Sequence, residues 1–158
     1  MPNTVHLIKS VSDVIKYLKS HLDETDISLY EGASDQQIKE LENSAGVKLP
    51  DDVKQFYQFS NGFLSEEDQF RIVPLDELIF RNRRRDILYF GEYLCYCDTW
   101  ALIIDPENNN YQIIYPDERG IVLTNSFSEF LSRFFIGGVF EQNGLYDWSD
   151  EIRAKETK

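Results

Sequence analysis

Catalysis needs a reactive group held beside a partner that activates it, and the first question is where this chain could assemble such a pair. Two cysteines stand one residue apart, Cys95 and Cys97. On a strand that spacing points both thiols to one side, and two further ligands would complete a metal site. The only histidines, His6 and His21, lie far away in sequence, so reduced, structural cysteines are expected and no metal. Acyl transfer needs a nucleophile, a base and an oxyanion donor. The chain has no G-x-S-x-G elbow, no G-x-x-x-x-G-K-[ST] loop and no G-x-G-x-x-G fingerprint. Its 28 acidic residues make any carboxylate pair unspecific as a glycosidase signal. Asp51 and Asp52 follow Pro50; there a helix start, with its positive dipole end, accounts for both. The expectation is a protein that is not an enzyme and carries no cofactor.

Binding chemistry is better represented. Asp and Glu total 28 against 16 Lys and Arg, a net charge of −12. Such a surface repels nucleic acid and anionic membrane and attracts a basic protein. The one basic cluster, Arg81, Arg83, Arg84 and Arg85 in RNRRRD, is too small for a nucleic-acid footprint and suits pairing with local acids. Interface hot spots favour Trp, Tyr and Arg. Tyr93, Tyr96, Asp98 and Trp100 cluster where one strand passes to the next; Glu66, Glu67 and Asp68 share a polar loop; Tyr146, Asp147 and Trp148 lie near the C-terminus. Glu67, Tyr96, Asp98 and Trp100 are the candidate partner-binding residues, expected to form an acidic, aromatic concave surface. Charge reversal at Glu67 or Asp98 would then weaken binding.

The elements that must position these residues are well marked. The 158 residues are 42% hydrophobic and 14% aromatic, enough for one domain with a real core. The expected domain covers 1–148, with 149–158 as a fraying tail. No apolar run approaches the roughly 18 residues of a membrane span, and MPNTVHLIKS lacks a signal peptide's apolar centre, so a cytoplasmic location is expected. Ser10 with Asp13 opens a helix over 11–22, striped by Val11, Val14, Ile15, Leu18 and Leu22. Residues 27–30 read as a short extended piece. Ser34 with Gln37 opens a second helix ending at Gly46; Pro50 opens a third ending at Asn61-Gly62. From Gln69 the pattern turns to strands. Residues 75–80 read as an irregular or helical turn, and 87–124 as an antiparallel meander with strands 87–90, 93–97, 100–104, 111–115 and 121–124. Ser126 with Glu129 opens the last helix, striped by Phe127, Phe130, Leu131 and Phe134 and stopped by Gly137-Gly138.

That order is similar to a known group. LENSAGVKLPDDVKQFYQFSNGF resembles a helix end, a Leu-Pro step and an aromatic-rich helix closing at Asn-Gly. FRIVPLDEL, ILYFGEY, WALIID and SFSEFLSRF follow in the order of the same pattern. Across 27–136 the chain resembles the SUKH superfamily, which includes fungal regulators of cell-wall glucan synthesis and bacterial immunity proteins that neutralise polymorphic toxins. Pro and Asn in 105–110 replace the glycine-containing turn often found in the group's meander. The resemblance implies an α+β fold, a mixed, largely antiparallel sheet with helices packed on it. It also implies a non-catalytic protein-binding module: an immunity protein against a toxin such as a nuclease or, alternatively, a regulatory interaction protein.

Overall fold

The computed structural model describes residues 7–81, 87–116 and 120–156. Arg83, Arg84 and Arg85 of the basic cluster, and His6, lie outside the described residues. Seven strands form one sheet in chain order, and every neighbouring pair is antiparallel. They are β1 (Ile27–Leu29), β2 (Phe63–Ser65), β3 (Phe70–Ile72), β4 (Ile87–Tyr93), β5 (Asp98–Ile104), β6 (Tyr111–Tyr115) and β7 (Ile121–Thr124). Among the described residues six α-helices accompany them: α1 (Val11–His21), α2 (Asp35–Ala45), α3 (Asp51–Phe59), α4 (Leu75–Arg81), α5 (Phe127–Gly137) and α6 (Leu145–Glu156). The α+β expectation holds.

Caps decide where helices begin. The Ser10 and Ser126 hydroxyls accept from the third backbone N–H of α1 and α5. At α2 the exchange is reciprocal: Ser34 Oγ accepts from Gln37 N–H and Gln37 Oε1 from Ser34 N–H. Gly46 closes α2 in the left-handed conformation, φ 72°. Asp52 does more than favour a helix start: it accepts from the Tyr111 hydroxyl, which itself accepts from Phe127 N–H at 2.8 Å. One carboxylate thus ties the starts of α3 and α5 to β6.

The helical hairpin α2–α3 is an excursion between two neighbouring strands. Its ends are stitched where it leaves β1 and enters β2. The Ser60 hydroxyl donates to Gly62 O (2.6 Å) and accepts from Tyr30 N–H (3.1 Å), while Asn61 N–H reaches Glu31 O (3.0 Å). Gly62 has φ +94°, and a Cβ there would stand 2.2 Å from Ile72 O, so only glycine lets β2 begin against β3.

The core is aromatic. Phe56, Phe63, Phe70, Phe90, Trp100, Phe127 and Phe130 are all fully buried. Each such side chain contributes about 1.5–3 kcal/mol on leaving water, and many rings meet edge to face. The α5 stripe lies against this cluster as its spacing predicts.

Three differences from the sequence reading have physical causes. Strand β4 does not stop at Gly91. A bulge between Leu88 and Gly91 turns Gly91 onto Phe70 and the Trp100 Cβ, so alternation restarts with Glu92 on the other face beside Arg71. Cys95 and Cys97 are not on a strand; both are exposed in the β4–β5 turn. For residues 75–80 the helical alternative is the one that holds: they lie in α4, whose Leu78 N–H bonds the Pro74 carbonyl. The expected fraying tail is helical to Glu156, its last turn carrying Arg153 and Lys155, which suit a helix C-terminus.

Candidate functional site

The antiparallel pairing of β1 with β2 sets Ile27 opposite Ser65, and the acids flanking these strands meet as a result. Asp26 Oδ2 accepts from Ser65 Oγ (2.9 Å) and from Glu67 N–H (2.7 Å). Asp68 lies against Gly138, at φ +56°, where a Cβ would stand 2.3 Å from Asp68 Oδ2; glycine is what admits the carboxylate there. The result is a cleft of about 530 Å³ whose carboxylates are Asp23, Glu24, Asp26, Glu67, Asp68 and Glu141. Tyr17, Ile27, Phe134, Phe135 and Ile136 supply its apolar surface, and no Lys or Arg is among its described lining residues.

Asp68 registers this crowding. Burial pushes its carboxyl above the usual range, the Val139 backbone N–H pulls it back, and the charges of Asp26, Glu141 and Glu67 push it further up. Among the described residues no ion pair engages any of the cleft's acids.

The opposite arrangement occurs on the face of the sheet turned away from Phe70 and Ile72. Arg71 Nε meets Glu92 Oε1 at 2.6 Å, and both terminal nitrogens grip Glu77 at 2.8 Å. The Tyr96 hydroxyl donates to Glu77 Oε1 (2.9 Å), Tyr96 N–H donates to Glu92 Oε2 (2.6 Å), and Arg81 lies 3.8 Å over the Tyr96 ring. Hydrogen bonds from Arg71 hold the Glu77 carboxyl below the usual carboxylate range. Burial and the Glu77 carboxylate push the Tyr96 phenol up to about 12.

The four expected partner-binding residues therefore part company. Glu67 is exposed and lines the cleft. Tyr96 is half-buried in the Arg71 clamp, held by the left-handed turn of Leu94, Cys95 and Tyr96 (φ 48°, 52° and 66°). Asp98 is half-buried, and its Oδ2 accepts from both Tyr115 (2.6 Å) and Tyr146 (2.7 Å) hydroxyls; burial and that carboxylate push the Tyr115 phenol up to about 12. Trp100 is 0% exposed, enclosed by Phe70, Tyr115, Phe130 and Tyr146. This corrects its expected role: a strand-central Trp on the helix-covered face supports a surface from beneath and cannot touch a partner itself. The expected single concave surface of these four residues is replaced by a cleft that holds Glu67 alone of them.

In the sequence, 23–26 and Glu141 carry no motif that would mark them as part of a site. Three chain segments supply the cleft, and only the β1–β2 register and the tight loop after α5 bring them together. Among the described residues no three His, Cys, Asp or Glu side chains form a group that could hold a metal ion. None of the described helices is long and apolar enough to cross a membrane.

The model of the SMI1 / KNR4 family (SUKH-1) matches residues 32–133, well over half of the chain. The chain belongs to this SUKH family. The matched stretch runs from the α2–α3 excursion through the meander into α5 and includes the Arg71 clamp. Of the cleft's acids it takes in Glu67 and Asp68 but not Asp23, Glu24, Asp26 or Glu141. The family pattern thus covers the scaffold, and most of the acidic surface is added outside it. No curated protein matches the chain.

Proposed function

We propose that this SUKH protein is a non-catalytic binding module of the immunity type, which neutralises a basic toxin domain by docking its acidic cleft over the toxin's working surface. The observation that carries this reading is the cleft itself: six carboxylates with no basic side chain among the described lining residues. A folded chain that gathers like charges gives up stability unless a partner supplies the opposite sign. A nuclease is basic where it meets phosphate, so an acidic protein can be steered onto that surface and block substrate entry. Nothing in this mode of action asks for a nucleophile, metal or cofactor, and neither nucleic acid nor membrane is bound directly.

A second reading, a regulatory interaction protein akin to the cell-wall glucan-synthesis regulators, rests on family membership, since the SMI1 / KNR4 model is the one that matches. Co-expression separates the two. The chain is produced together with candidate basic toxin domains drawn from neighbouring genes, and survival and co-purification are scored. Rescue of growth with a one-to-one complex is the outcome expected for immunity. Death of the cells with folded protein present and no complex would move the assignment to regulation.

A further inference from the structure

The loop between α5 and α6, residues 138–144, is braced at every step. Val139 is fully buried beneath it. Glu141 N–H bonds Gly137 O (2.9 Å), Gly144 N–H bonds Glu141 O (3.0 Å), Leu145 N–H bonds Gly138 O (2.9 Å) and Tyr146 N–H bonds Val139 O (3.1 Å). Asn143 N–H donates to Asp147 Oδ2 at 2.8 Å. Gly137 and Gly144 pass so close that a Cβ on Gly137 would stand 2.4 Å from Gly144 N. This loop has little freedom, yet at its tip it holds Phe140 55% exposed.

Phe140 is also held from the side. Its ring meets Tyr93 edge-on at 5.1 Å and Tyr146 at 5.6 Å, and Tyr146 is fixed through its hydroxyl to Asp98. Asp98 and Tyr146 thus act as positioning residues for an exposed ring. The next residue, Glu141, lines the acidic cleft, as does Ile136, 39% exposed. Leu94, 43% exposed, hangs from the β2–β3 turn through its N–H to Gln69 O, one residue beyond Asp68. An apolar rim therefore borders a strongly acidic hollow.

We infer that Phe140 is the anchor of the interface: its ring enters an apolar pocket on the partner, and Lys or Arg side chains bordering that pocket fall into the adjoining cleft. This rests on the proposed docking of a basic toxin domain and names the contact that holds it. The occupant follows from charge complementarity, because an apolar anchor next to Glu141, which lines the acidic cleft, calls for a partner whose pocket is ringed by cations. Preorganisation adds to the case. A side chain already immobilised by its own loop loses little freedom on binding, and hot spots are typically large side chains packed into a pocket and ringed by contacts that exclude water.

The test uses the full chain and a catalytically inactive form of the toxin domain identified by the co-expression experiment, with affinity measured by calorimetry. Phe140→Ala should weaken binding by about 30-fold or more, and Phe140→Leu by less, with unfolding midpoints close to the parent. Val122→Ala, at another exposed apolar position (45%) on the last strand of the sheet, should leave affinity unchanged. Equal affinity of the Phe140→Ala and parent proteins, while Glu67→Lys/Glu141→Lys weakens binding, would overturn the anchor and leave the docking reading standing. Absence of binding by the parent itself would overturn both.

Discussion

Two groups of carboxylates in this molecule are built on opposite principles. Around Arg71, Glu77 and Glu92 each have a cation in hydrogen-bond contact, and Tyr96 closes the group with its hydroxyl and N–H. In the cleft, Glu67, Asp68 and Glu141 face one another with Asp26, and no cation lies among the described lining residues. The first group is complete in itself: its charges fix β3, β4 and α4 against one another. On the proposed reading, a basic partner completes the second. The pKa directions report the same contrast, since Glu77 is held down by Arg71 and Asp68 is pushed up by burial and its acidic neighbours. A protein with net charge −12 has many carboxylates; a local cation distinguishes the Arg71 clamp from the cleft, while Asp52 and Asp98 hold the fold through tyrosine hydroxyls instead.

The sharpest way to break this contrast is to remove the cation. Arg71→Met leaves Glu92, whose side chain is 5% exposed, without its partner. Unfolding in denaturant should show a loss of about 3 kcal/mol, the cost of an uncompensated buried charge. Adding Glu92→Gln should recover part of it, since the amide oxygen still accepts Tyr96 N–H. A loss below ~1 kcal/mol would mean the clamp is an ordinary surface ion pair. Asp98→Ala comes next. It removes the acceptor of two tyrosine hydroxyls and should cost about 1–2 kcal/mol. Any effect of that variant on binding would then act through Tyr146, which makes charge reversal at Asp98 a poor probe of direct contact.

The pH dependences of the two groups should have opposite sign. Glu77 has a depressed folded pKa, so it contributes stability above its unfolded value near ~4.3, and that contribution is lost as pH falls through the folded value. Asp68 has a raised folded pKa. The folded state therefore holds its proton more tightly, and stability falls as pH rises from the unfolded value, about 3.9, through the folded one. Glu77→Gln should lower the unfolding midpoint at pH 7 and converge on the parent in acid. Asp68→Asn should raise the midpoint slightly at pH 7 and likewise converge in acid. Shifts of the same sign at pH 7 would erase the distinction between clamp and cleft.

Much of the scaffold was legible because its signals are local. Ser34 with Gln37, Ser126 with Glu129, Gly46, and the Phe127–Phe130–Phe134 spacing each act within a turn or two of helix, and each appears as read. Three things were not legible. Strand β2 has only three residues and starts just past the Ser60-Asn61-Gly62 connection that follows α3, too short for alternation to show. The left-handed run Leu94–Cys95–Tyr96 contains no glycine or asparagine, so the residue types that mark such a turn are missing, and the cysteines read as strand. The cleft depends on register and loop closure between segments more than 40 residues apart, such as Asp26 and Glu67 (|i−j| of 41), and no short window contains that information. Of the expected contact residues, Glu67 was chosen by charge and its loop position, and it does line the cleft. Trp100 was chosen by residue type, which does not tell an interface aromatic from a core one.

The smallest expected effect on stability belongs to a variant that should clearly weaken binding. Glu67→Lys/Glu141→Lys changes two exposed side chains that engage no cation among the described residues, so the unfolding midpoint should stay within about 2 °C of the parent or rise as repulsion is relieved. The most direct measurement is the affinity of this variant and of the parent for the inactive toxin-like domain at low and at high salt. The expected result is a loss of at least about tenfold at low salt that shrinks as salt is added, because screening weakens the parent more than the variant. Equal affinities at both ionic strengths, with both proteins folded, would contradict the claim that the unpaired carboxylates form the docking surface.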